Sequence, residues 1–69
     1  MNNLRVLDNW YIMGEIQGKM YIHGETVRVN ANGEHEVIGL HTSVHVIDFR
    51  TGIVDTTKEV FKLGKMRNG

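Results

Sequence analysis

Apolar and polar positions alternate with a period of two along most of this chain, in short runs cut by glycine-bearing turns. Period two places one parity on each face of a sheet. Residues 10–17, 20–30, 34–40, 42–49 and 53–57 all read as strands on this pattern. In the first run Trp10, Ile12, Gly14 and Ile16 share one parity, and Tyr11, Met13, Glu15 and Gln17 the other. In the second, Met20 and Ile22 oppose Tyr21 and His23, and Val27 and Val29 oppose Arg28 and Asn30. The run 42–49 carries apolar groups on both faces, Val44 and Val46 against Ile47 and Phe49, and is the candidate for a central strand covered on both sides.

The punctuation agrees with this pattern. Asp8-Asn9 reads as a turn after the short apolar opening Leu4, Val6, Leu7, and Gly18-Lys19 as a tight reversal. Asn30-Ala31-Asn32-Gly33 is the clearest turn, and Arg50-Thr51-Gly52 fits a hairpin loop. Gly24 suggests a bulge and Gly39 a kink or weak point. Thr56-Thr57-Lys58-Glu59 has the Thr-x-x-Glu spacing of a helix capping box, while the alternation of residues 59–63 suits a strand, the preferred reading. Residues 65–69 read as a frayed tail. The pattern thus predicts an all-β fold: a small antiparallel meander or partly open barrel of about five or six strands. It allows at most one short C-terminal helix, within a single domain over residues 1–69. The expected core is Trp10, Ile12, Ile22, Val27, Val29, Ile38, Val44, Val46, Val54 and Leu63.

Composition narrows the options. A chain of 69 residues buries only about 60% of the surface its unfolded form exposes. With no cysteine, neither disulfides nor thiolate zinc can supplement the core, so a homo-oligomer is expected. Eight basic and eight acidic side chains, spread without runs, give zero net charge and argue against nucleic acid as the partner. No stretch approaches the ~20 apolar residues of a membrane span, and the N-terminus lacks signal-peptide features. A cytoplasmic protein is expected.

Candidate chemistry is sparse. His41 and His45, four apart on a strand, would lie about 13 Å from each other, too far to share an ion. His23 or His35 could reach His45 across a hairpin, but no recognised ligand spacing occurs, and no metal or other cofactor is expected. Ser43, His45 and Asp48 are close in sequence, yet a regular strand turns Asp48 to the other face and breaks a triad. Asp48 and Asp55 could oppose each other across the Arg50-Thr51-Gly52 loop, where flanking a turn is their ordinary role. What remains is an outward set of stacking and forking groups: Tyr11, Tyr21, His23, Arg28 and Arg50. Such groups serve ligand stacking, phosphate binding and protein interfaces alike. Tyr21, His23, Arg28 and Arg50 are the predicted binding residues, and no catalytic residue is assigned.

The order of motifs also resembles a known group. Trp10-x-x-x-Gly14-x-Ile16-x-Gly18, Met20-Tyr21-x-x-Gly24, Thr42-Ser43-Val44-x-x-Ile47-Asp48, Gly52-x-Val54-x-Thr56 and Phe61-x-Leu63-Gly64 run in sequence. Over most of residues 10–64 this is similar to small β proteins encoded by phages and prophages, in which a Tyr-x-Leu-Gly ending is usual. Phe61 replaces that Tyr, and residues 25–41 look like an inserted hairpin. The resemblance implies a non-enzymatic, anti-defence type of protein. Such a protein would block a host or bacterial defence protein by occupancy, through a sheet edge or an aromatic face. The alternative it implies is an oligomeric sponge for a cyclic nucleotide signal, as anti-Thoeris proteins are. In either case the site of action would be the cytoplasm of the host cell.

Overall fold

The computed structural model describes residues 4–67. These form an all-β closed barrel of five strands in chain order: β1 (Arg5–Ile16), β2 (Lys19–Val29), β3 (His35–Asp48), β4 (Ile53–Thr56) and β5 (Val60–Leu63). Consecutive strands pair antiparallel. The barrel closes where β5 meets β1 in parallel, Arg5, Val6 and Leu7 opposite Phe61, Lys62 and Leu63. A five-strand meander brings its first and last strands together pointing the same way, which is why this seam alone is parallel.

β1 and β2 are joined by a two-residue turn with Gln17 and Gly18 both at positive φ, 53° and 78°, between the paired Ile16 and Lys19. That is the backbone a twisted hairpin favours, one residue earlier than the predicted Gly18-Lys19 reversal. Asp8-Asn9 does not reverse the chain. Asn9, at φ 53°, sits in one of two irregularities by which the long β1 bends from pairing with β2 to pairing with β5. Gly24 marks close approach and not a bulge in β2: a Cβ there would lie 2.7 Å from Leu7 Cγ. Gly39 does not interrupt its strand, and the predicted runs 34–40 and 42–49 join through His41 into one strand, β3.

The β2–β3 turn is as expected. Asn30 Oδ1 accepts the Asn32 and Glu34 N–H groups, and the Asn30 N–H donates to the Glu34 carbonyl at 2.9 Å. At the β3–β4 turn, Asp48 Oδ1 accepts from the Arg50 N–H at 2.9 Å. Asp48 pairs with Ile53 and Asp55 with Val46, so the two carboxylates do not oppose each other. The Thr-x-x-Glu motif caps a turn between two strands and not a helix: Thr56 Oγ1 accepts from the Lys58 and Glu59 N–H groups at 3.2 and 3.1 Å. β5 takes up the strand alternation that follows.

The core is Leu7, Trp10, Ile22, Leu40, Val54 and Phe61, with Ile12, Val44, Ile47 and Leu63 packed against it. Trp10, Ile12, Ile22, Val44, Val54 and Leu63 stand as expected, and Ile38 is half-buried. Val27, Val29 and Val46 do not belong to it, being 48%, 60% and 62% exposed. The reason is architectural. A single-layer barrel has one interior, so β3 is covered on one face only, and Phe49 as well as Val46 lies outside. Nor is the chain frayed after β5. The Lys65 N–H donates to Asp8 Oδ1, and the Arg67 N–H to the Trp10 carbonyl, both at 2.9 Å. Residues 68 and 69 of the expected tail lie outside the described residues. Among the described residues no helix is long and apolar enough to cross a membrane.

Candidate functional site: the outer face of the β2–β3 arm

β2 and β3 outrun the barrel. β1 leaves β2 after the Asp8–Glu25 pair, and β4 meets β3 only from Val44 onward. Residues 26–29 and 35–38 therefore form a two-stranded arm, and residues 39–42 continue β3 beside residues 22–25, in unbroken register from Val29–His35 back to Met20–Val44. Ile22, Gly24, Thr26, Leu40 and Thr42 of the two strands are buried inward. The opposite parity, Tyr21, His23, Glu25, Val27 and Val29 beside Ser43, His41, Gly39, Val37 and His35, forms one outer face.

The barrel half of this face is an aromatic and imidazole row. Tyr11, His23 and His41 are directly paired across β1, β2 and β3. Ring centroids are 5.2 Å apart for Tyr11 and His23, and 6.0 Å for His23 and His41, whose planes are stacked within 11°. Tyr21 meets His41 edge-on at 5.5 Å. The Tyr11 hydroxyl and His23 Nδ1 are 3.1 Å apart, a hydrogen bond that orients both rings. Arg67 places its guanidinium carbon 4.4 Å from the Tyr11 ring centroid, a cation–π contact at the end of the row.

The tip half of the face carries Val27, Val29 and Val37, with His35 at the end and Glu25 and Gly39 between the valines and the row. Val27 and Val37 pair across the arm, and Val37 is 66% exposed. With Arg5, Val6 and Glu25 they line an open cleft of about 420 Å³ where β1 departs from β2. Buried Thr26 borders the same cleft, and its hydroxyl has no partner.

Of the predicted binding residues, Tyr21 and His23 are brought together in the row. Arg28 is not with them: it lies near the arm tip on the opposite parity, its Nε 2.7 Å from Glu36 Oε1. Arg50 is exposed in the β3–β4 turn, far along β3 from His41. Tyr11, counted among the outward groups, joins the row. His41 joins it too, through a register legible in the Asn30–Glu34 closure, which carries outward to the His23–His41 pair. The Tyr11–His23 pairing was not legible, because irregularities in β1 shift its register. Arg67 carried no sequence signal, since its place depends on residues 64–67 returning along β1 to Trp10.

The other candidates separate. His45 does not meet His23 or His35. It lies 3.5 Å from Thr57 Oγ1, whose hydroxyl also bonds that of Ser43. Asp48 is occupied with its turn, so Ser43, His45 and Asp48 are not aligned as nucleophile, base and orienter. Among the described residues no three His, Asp or Glu side chains gather closely enough to hold a metal ion. Compared with known protein families, curated proteins and solved structures, the chain matches none.

Proposed function

We propose that this chain is a binding protein that acts by occupancy, with the outer face of β2 and β3 as its contact surface. Its partner, on this reading, is a host or bacterial defence protein in the cytoplasm of the cell. The observation that carries the proposal is the continuity of that face. Exposed Val27, Val29 and Val37 run into the row of His23, His41, Tyr21 and Tyr11, with Arg67 at its end. An apolar patch joined to Tyr and Arg is the composition that protein interfaces favour. The valines are costly to leave in water, and a partner's surface would cover them. The motif resemblance to phage-encoded β proteins supports the choice of partner class.

The test is dose dependence in a reconstituted or cellular defence assay. Inhibition should saturate at a fixed ratio of this protein to its target, and Tyr21→Ala and Val37→Asp should reduce it while thermal melting is retained. Progressive loss of the target at substoichiometric dose would instead make the chain an enzyme.

The row supports a second reading, a sponge for a cyclic nucleotide. A base could stack on His41 or Tyr21, and Arg67 could contact phosphate. Calorimetric titration with cyclic nucleotides, followed by recovery of intact nucleotide from the denatured complex, distinguishes this reading from a protein partner.

A further inference from the structure

The free edge of β3 has a symmetry of its own. The Asn30 N–H to Glu34 carbonyl bond fixes which residues of the arm point their main-chain groups at each other. Pairs alternate from there. Arg28–Glu36, Thr26–Ile38 and Gly24–Leu40 turn their N–H and C=O groups inward between β2 and β3, and the residues between them turn theirs outward. On β3 these outward residues are His35, Val37, Gly39 and His41. Ser43 is next, and its carbonyl already accepts the Thr57 N–H as β4 begins. Among the described residues nothing pairs with the four before it.

We propose that a second copy of this chain adds to this edge, β3 against β3, antiparallel about a two-fold axis at Ile38. This register sets His35 opposite His41 of the second copy and Val37 opposite its Gly39, so all four free residues are used on each strand. The side chains agree with it. A Cβ at Gly39 would have nothing within 4 Å, an open notch on the outer face, and the side chain delivered beside it is the exposed Val37. The chain has zero net charge, and Arg28 already neutralises Glu36 beside the axis, so two copies approach without repulsion. β3 against β3 is isologous and closes at two subunits, whereas pairing β3 to the β2 edge is heterologous and leaves an edge open on every copy unless a ring closes. The β2 edge is also the poorer template, with Arg5 standing beside Val27 and Val29. In the dimer the two outer faces become one continuous sheet, and His35 of the second copy extends each row of Tyr11, His23 and His41. The inference goes beyond the proposed function and holds whatever that face binds.

A strand pairing this short buries less than about 1,000 Å², so the dimer belongs to the weak class. Light scattering should therefore show a mass rising from 7.9 kDa towards twice that between low and high micromolar concentration. A cross-link reads the register. The chain has no cysteine, and residues on such an axis bring their Cα atoms to roughly 4.5–5.5 Å, within disulfide range. In a glutathione redox buffer Ile38→Cys should form a covalent dimer. Val46→Cys, more exposed than position 38 but on the barrel wall, should not. The double variant His35→Glu, His41→Glu sets like charges opposite each other and should shift the dissociation constant upward at least severalfold. His35→Lys with His41→Glu should restore it. A mass of 7.9 kDa throughout the range, or equal cross-linking at positions 38 and 46, would overturn the proposal.

Discussion

Two glycines one residue apart in the β2–β3 ladder should respond in opposite directions to the same substitution. Gly24 pairs with Leu40, and Gly39 pairs with Glu25. Gly24 is buried, and a Cβ there would lie 2.7 and 2.8 Å from Leu7 Cγ and Cδ1 and 3.2 Å from the Asp8 carbonyl oxygen. Leu7 is wholly buried at the barrel seam and the Asp8 oxygen belongs to a paired strand, so neither yields freely. Overpacking of this kind costs about 1–3 kcal/mol. Replacing Gly by Ala also reduces unfolded-chain entropy, worth about 0.4–1 kcal/mol in the stabilising direction. The net for Gly24→Ala is a loss of roughly 1–2 kcal/mol, from a total of roughly 3–10 kcal/mol for a domain of this size. At Gly39 the space is open and φ is not in the positive region, so only the entropic gain remains. Thermal unfolding followed by circular dichroism reads both, at one fixed protein concentration because association raises Tm. At about 4–8 °C per kcal/mol, Gly24→Ala should lower Tm by roughly 5–15 °C and Gly39→Ala should raise it by roughly 2–8 °C. In a Leu7→Ala background the Gly24 penalty should shrink by on the order of 0.5–1 kcal/mol, because the crowding Cγ and Cδ1 are both removed. If both single variants shift Tm in the same direction, the packing of β1 over Gly24 is not as described.

Val46→Asp should leave the barrel folded, with Tm changed by only a few degrees, whereas Val54→Asp, at a wholly buried position, should abolish the cooperative transition. Thr56→Val should cost about 1–2 kcal/mol in a denaturant titration, because it removes the acceptor for the Lys58 and Glu59 N–H groups, and Thr56→Ser should retain most of that stability. Trp10→Phe should cost about 1–3 kcal/mol by the same measurement, since Trp10 Nε1 donates to the Gly64 carbonyl at 3.0 Å. Replacing residues 27–37 with an Asn-Gly turn should leave a folded barrel by circular dichroism and abolish concentration-dependent mass in light scattering.

The fold was legible wherever local chemistry decides it. The period-two runs, the Asn30 and Gly52 turns and the strand character of residues 60–63 follow from backbone geometry and pleat, and these the structure keeps. Burial was less legible, because alternation says which residues share a face but not which face is closed. Val27 and Val29 share a parity with Tyr21 and His23, outside the barrel, while Thr26 and Gly24 point in. Alternation alone does not single out Leu7, Leu40 and Phe61 as core, because each gains its burial from a partner distant in sequence. Leu7 closes the barrel against β5, and Phe61 is opposite both Arg5 and Val54. The Thr-x-x-Glu motif shows the same limit from the other side. A hydroxyl two and three residues before free N–H groups caps them equally well ahead of a strand or a helix.

The arm connects the fold to its use. Of the wholly buried large side chains, Phe61, Leu7, Ile22 and Val54, none lies within residues 26–38, so the barrel does not depend on the arm for its core. The arm nonetheless carries three exposed valines, a free β3 edge and the outer half of the candidate face. Apolar side chains on a free strand edge expose the chain to uncontrolled pairing, and folded proteins blunt such edges with proline, lysine or bulges. Here residues 35–41 contain no proline, no lysine and no register shift. An unblunted edge that contributes little to the core is explained by a strand that pairs with it. The proposed two-fold register at Ile38 would make that pairing finite and leave the outer faces of both copies open to a partner.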